Sequence, residues 1–223
     1  MTEPSGLDAL ASAGAKNRKT AHEFVMETLK EAILNGRLAA GTRLVQSELA
    51  EMLGVSTTPV REALRDLAAD ELVTLDAHRG GIVKELNDGE LDEVYDLRRI
   101  LEIEALRRAV PKLDDGALEQ LAALCDEMKR ARSASEFVPL NREFHMTIYR
   151  AAGSPRLLSM LEGLMNTSAM YLSTSFHADS TLLQTAQSDH EEILAAVRSG
   201  DVEAAVAATE RHLDLPQRAL QRD

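Results

Sequence analysis

Apolar positions recur at three- and four-residue intervals along most of this chain, and breaks in that period mark its elements. From Thr20 to Asn35 the inward positions are Phe24, Val25, Leu29, Ile33 and Leu34, which predicts an amphipathic helix; Gly36 to Leu44 reads as a compact turn. Gln46 to Ala69, QSELAEMLGVSTTPVREALRDLAA, predicts two short helices. Ser47 is placed to cap the first, Gly54 to end it, and Ser56 or Thr57 to open the second. Leu49, Ala50 and Leu53 line the inner face of the first. In the second, Val60, Ala63, Leu64 and Leu67 face inward and leave Thr57, Thr58, Arg61 and Arg65 pointing out. Leu72 to Leu75 and Gly81 to Lys84 then read as two short strands around the hairpin tip Asp76-Ala77-His78-Arg79-Gly80. Three helices and a hairpin predict a winged helix-turn-helix over residues 20–84, with His78 and Arg79 at the tip of the wing.

Beyond residue 84 the pattern is helical throughout. Asp88 is placed to cap a helix to Ala109, stopped by Pro111; others run from Asp114 to Ala131, Ser135 to Ala152 and Pro155 to about Ser175. A fifth spans Leu182 to Ser199, and Asp201 caps a sixth to about Leu215. Six helices joined by short turns predict an antiparallel all-α bundle over residues 88–218, so the fold class is mostly α with a small β-wing. Residues 1–19 lack an apolar period and are expected to form a disordered arm.

Composition narrows the function. No run approaches the roughly 18 apolar residues of a membrane span, and MTEPSGLDAL lacks the basic start of a secretory signal, so a cytoplasmic protein without a membrane partner is expected. The single cysteine, Cys125, falls in the helical pattern as a small apolar side chain. The net charge of −12 is unevenly spread: residues 1–84 hold 10 Lys/Arg and 12 Asp/Glu, leaving 15 and 25 of the chain's 25 and 37 for the remainder. A near-neutral first domain is compatible with DNA binding through a few positioned cations, and the acidic second half disfavours nonspecific contact.

Hydroxyls on the first turn of a helix and arginines on the next two suit phosphates and base edges in a major groove. The competing reading is a solvated face, since Glu62 and Asp66 interleave with the arginines. The run AILNGRLAAGTRLVQSELAEMLGVSTTPVREALRDLAADELV, followed by HRGGIV, resembles the DNA-binding domain of the GntR family of bacterial transcription regulators. The resemblance implies contacts to double-stranded, palindromic operator DNA from Arg43, Ser47, Ser56, Thr57, Thr58, Arg61, Arg65, His78, Arg79 and Gly80. Thr57 stands where the family usually has arginine, so an atypical operator or affinity is expected.

In the second half, Asn141 and His145 lie four apart on one helix, with His190 and His212 on two later ones. Imidazoles presented by facing helices can converge on a metal, and helical histidines beside apolar residues are also ordinary partly buried side chains. Arg98 falls on the inward stripe Leu91, Val94, Leu101 and Ala105, where it needs an acidic partner, either Glu102 or a ligand. Arg99 is expected to face solvent, and Met160, Met165 and Met170 to fill core. The patterns NREFHMTIYRAAGSPRL and DHEEILAAVRSGDVEAAVAATERHL are similar to the FCD ligand-binding domain of the FadR-like branch of the same family. That resemblance implies a divalent metal at Asn141, His145, His190 and His212, with asparagine replacing the usual aspartate. Zinc is the first choice, with nickel or manganese as alternatives. It also implies a homodimer and an organic acid effector gripped by Arg98. A repressor released by effector is the preferred mechanism; activation, or a metal that is itself the signal, are the alternatives. An enzyme is disfavoured, because His190-Glu191 is followed by Leu194 where a zinc protease helix needs a second histidine.

Overall fold

The computed structural model describes residues 20–76, 80–85, 87–178 and 180–220; the expected arm, His78 and Arg79 lie outside them. Helix α1 spans Ala21–Leu34 and starts on a reciprocal cap: the Glu23 backbone N–H donates to Thr20 Oγ1 at 3.1 Å, and the Thr20 N–H to Glu23 Oε2 at 2.8 Å. Its buried stripe is Val25, Leu29 and Ile33. Phe24 is instead 43% exposed, because the stripe follows an i, i+4 line and Phe24 lies one step off it.

The compact turn ends in a strand that periodicity did not reveal, β1 (Arg43–Val45). Three residues are too few to show alternation, and the strand exists because β3 (Gly80–Val83) pairs with it, Leu44 opposite Gly81. With β2 (Val73–Asp76) the sheet order is β1-β3-β2, antiparallel throughout. Helix α2 (Gln46–Leu53) follows β1 directly, so Val45 takes the cap position expected of Ser47, with no side-chain cap bond. Gly54 ends α2 in the left-handed conformation, φ +66°, a turn that glycine adopts without strain. Helix α3 (Thr57–Ala69) buries Val60, Ala63, Leu64 and Leu67 against α1 and the sheet.

Six long helices follow among the described residues: α4 (Asp88–Ala109), α5 (Asp115–Arg130), α6 (Ala134–Arg150), α7 (Pro155–Ala178), α8 (Ser180–Ser199) and α9 (Val202–Leu220). Asn87, rather than Asp88, caps α4, in a reciprocal pair with Glu90. The last helix outruns its expected end at Leu215, continuing through Pro216. Phe137, Phe144, Ile148, Leu161 and Ile193 centre the bundle core, which also buries Cys125. Of the three methionines read as core, Met165 is in the bundle core and Met170 in the winged-helix core, whereas Met160 is exposed on the outer face of α7. No helix among the described residues is long and apolar enough to cross a membrane.

Candidate metal centre and nucleic-acid interface

Helix α6 places Asn141, His145 and Tyr149 at successive i, i+4 positions, one above another on its inner face. His190 enters from α8 and His212 from α9, and one ring nitrogen from each of the three histidines lies within 4.8 Å of the others. All three are buried. Each imidazole has a partner that fixes its tautomer. Tyr149 donates its hydroxyl proton to Glu102 Oε2 at 2.5 Å, so at 3.3 Å its oxygen accepts from His145 Nδ1–H. His190 Nδ1–H donates to the Ala186 carbonyl at 2.6 Å, and His212 Nδ1 faces Asp189 Oδ2 at 3.3 Å.

The Nε2 atoms of His145 and His190 are therefore left as lone pairs and face each other at 3.2 Å with no proton between them. Burial, and then the neighbouring imidazoles, hold His145 and His190 well below the ordinary histidine range, so a proton does not relieve the contact. Two nitrogen ligands of a tetrahedral zinc, at about 2.0–2.1 Å from the ion, sit about 3.3 Å apart. The donor set, its tautomers and its spacing fit a divalent ion. Imidazoles each anchored through the other ring nitrogen are the usual support of such a site.

Arg98, on α4, borders this cluster and is 2% exposed. Its Nε donates to Glu102 Oε1 at 2.6 Å, one terminal nitrogen donates to Ser168 Oγ at 3.0 Å, and the guanidinium lies 5.0 Å from the centre of the Tyr95 ring. Glu102 is thus the acidic partner, and it joins Arg98 to Tyr149 and so to His145. Burial disfavours the guanidinium charge, but the Glu102 carboxylate more than offsets this and the pKa is raised. Arg98, Tyr95, Asn141 and His212 line one cavity of about 10 Å³. Tyr95, whose hydroxyl meets no hydrogen-bond partner among the described residues, is also pushed up, chiefly by burial. Arg99 does not simply face solvent: it is partly buried and donates to Asp214 at 2.7 Å, tying α4 to α9.

Tyr149, Asp189 and Ser168 escaped sequence reasoning. Tyr149 was signalled by its place one turn after His145 and Asp189 by adjacency to His190; Ser168, 70 residues from Arg98, left no signal.

On the winged helix, Ser47, Ser56, Thr57, Thr58, Arg61 and Arg65 are all exposed. Ser56 occupies the cap position of α3 but makes no side-chain cap bond, which leaves its hydroxyl outward. Among the described residues no ion pair engages Arg61 or Arg65. Arg43 is different: it is paired with Asp76 at 2.9 Å across the sheet. Gly80, at φ +130°, is buried in β3, where a Cβ would lie 1.8 Å from the Leu44 carbonyl oxygen; that close approach explains the glycine without a DNA contact.

A helix-turn-helix with a wing, joined to a helical bundle with a buried polar centre, defines a DNA-binding regulator with an appended sensory domain. Residues 21–83 match the bacterial regulatory proteins of the gntR family and residues 93–215 match the FCD domain, so the chain belongs to the GntR family of transcription regulators, FCD branch, and is not an enzyme. It is 34% identical to the transcriptional regulator McbR of Escherichia coli over 143 residues, which is 63% of this chain and 65% of that protein. With a D-xylose utilization operon transcriptional repressor, designated probable, from Paenarthrobacter nicotinovorans it shares 31% identity over 91% of this chain and 90% of that one. The solved structure of E. coli McbR/YncC superposes with a TM-score of 0.83 at 28% identity, covering 92% of this chain and 99% of that one.

Proposed function

We propose that this regulator is a homodimeric repressor whose hold on a two-fold operator is released by a small carboxylate bound beside a divalent metal. The observation that carries this is the pair of Nε2 lone pairs facing each other at 3.2 Å, an arrangement that favours a cation. Asn141 Oδ1 and Nε2 of His145, His190 and His212 would hold that ion, with zinc first by ligand type. When bound, it supplies positive charge for a carboxylate oxygen. Arg98 receives the acid from the other side, and Glu102 and Ser168 hold its guanidinium in place. Operator contact falls to Arg61, Arg65 and the hydroxyls of Ser47, Ser56, Thr57 and Thr58, supplemented by Arg79 and His78 of the wing. The relative designated a probable D-xylose utilization operon transcriptional repressor favours that sign.

The test is metal analysis of tag-free protein, then thermal shifts with acetate, lactate, gluconate and citrate, with and without chelator. One acid should raise Tm by several degrees, and chelator should abolish the rise. Metal-free protein that no acid stabilises would return the three histidines to a structural role. Because the cavity has room for about one water, a metal that is itself the signal is the second reading; then metal alone changes operator affinity and no acid does.

A further inference from the structure

We infer that helix α7 is the link through which the Arg98 site acts on the winged helix, with Met170 as its point of contact; this rests on the effector reading above. Ser168 is buried, accepts from Arg98 at 3.0 Å and donates to the Met165 carbonyl at 3.1 Å. Leu172 and Phe176 continue that side of α7 into the wall of the cavity lined by Arg98 and Asn141. Met170, two residues from Ser168, lies about 200° around the helix and so on the opposite side. It is buried in the cluster formed by Val25, Leu29 and Ile33 of α1 with α3 and the sheet. Among the described residues it is the only member of that core contributed from beyond Val83. One helix thus has its two sides in two cores.

The cavity is what sets α7 in motion. About 10 Å³ admits roughly one water, so an organic acid of four or more heavy atoms must push a wall back. The other walls are braced. Arg99–Asp214 at 2.7 Å and Arg107–Glu203 at 2.5 Å tie α4 to α9, Arg211–Glu192 at 2.7 Å ties α9 to α8, and Lys129–Glu191 at 2.5 Å ties α8 to α5. Helix α7 is held to its neighbours by hydrogen bonds that include Arg98–Ser168 and Arg142–Asn166. The wall formed by Leu172 and Phe176 is the one whose helix also carries Met170. Because packed interfaces shift as units, displacement of α7 moves Met170 and with it the seat of α1. Ligand contact at Arg98 and the orientation of α3 are then two biases on one element, the requirement for coupling between sites.

The test fills the cavity covalently in the full chain and reads backbone hydrogen exchange by mass spectrometry. In Leu172→Trp, the amides of α1 should exchange at least tenfold faster, while those of α9 keep wild-type rates. With Met170→Ala present, the same cavity-filling change should alter α1 exchange less than twofold, measured against Met170→Ala alone. Unchanged α1 exchange in Leu172→Trp, or a tenfold change that persists without Met170, overturns the link. Should Leu172→Trp fail to fold, Ser168→Ala removes only the hydroxyl that receives Arg98; a threefold acceleration in the same amides, absent with Met170→Ala, is expected, and no acceleration overturns the proposal. No acid or metal is added, so the two readings fail separately: an acid can bind at Arg98 while α1 stays silent, and α7 can couple the cores while no carboxylate binds.

Discussion

Arg98 and Glu102 are 2% and 0% exposed and form an ion pair with hydrogen bonds to Ser168 and Tyr149, so neither charge can be deleted cheaply. Arg98→Ala leaves a buried carboxylate without its cation and should cost about 3–5 kcal/mol in denaturant unfolding, whereas Arg98→Met with Glu102→Leu, which removes both charges, should cost markedly less. Equal losses would mean that the pair contributes only packing. The histidines set a pH dependence of known sign. Burial holds His145 and His190 well below the usual range, so the unfolded chain takes up protons that the folded chain refuses. Stability of metal-free protein is therefore fully present above the unfolded histidine pKa, about 6.5, and is lost as pH falls through and below it. The fall in Tm between pH 7.5 and 5.5 should shrink in His190→Gln; an identical fall would sink this account. Sequence spacing put His145, His190 and His212 in view, but which nitrogen each presents depends on Tyr149, Ala186 and Asp189, which only the fold brings into place.

Among the elements, α3 was the most legible, because a buried stripe of Val60, Ala63, Leu64 and Leu67 leaves its outer face unambiguous. Arg61→Ala should weaken binding to an operator selected from random duplexes by about 1–3 kcal/mol, with thermal stability and metal content unchanged; a matching loss on scrambled DNA would assign Arg61 to the phosphates alone. β1 was illegible for the opposite reason. Three residues hold no period, and Arg43-Leu44-Val45 becomes a strand only because Gly80 and Gly81 let β3 approach. Pairing also draws Arg43 to Asp76, which competes with any phosphate contact. The caps show the same division: Gly54 was evident from its residue type, while Val45 displaced Ser47 because strand runs into helix.

For the whole molecule, the proposed dimer requires a contact surface. Leu97 and Ile100 on α4 are 43% and 65% exposed, three residues apart on a face the bundle leaves uncovered. If they seat the partner, Ile100→Glu should shift the protein to a monomer in sedimentation and weaken a two-site operator far more than a half-site, since the tethering of one reading head by the other is lost. A dimer unchanged by Ile100→Glu would place the contact elsewhere.

Local pattern alone determined the order of the helices and of the β2–β3 hairpin, because helix periods, glycine turns and the TPVREAL face express themselves within a few residues. It placed Asn141 and His145 on one helix face and Arg98 on an inward stripe, while the resemblance to the FCD domain is what joined them with His190 and His212 as a site. Tertiary structure decided what those residues do to one another. The facing Nε2 atoms, the bridge from Arg98 through Glu102 and Tyr149 to His145, and the insertion of Met170 into a core formed more than 80 residues earlier in the chain all join groups far apart in sequence. Such distances and tautomers follow from how the helices pack, which no local period encodes.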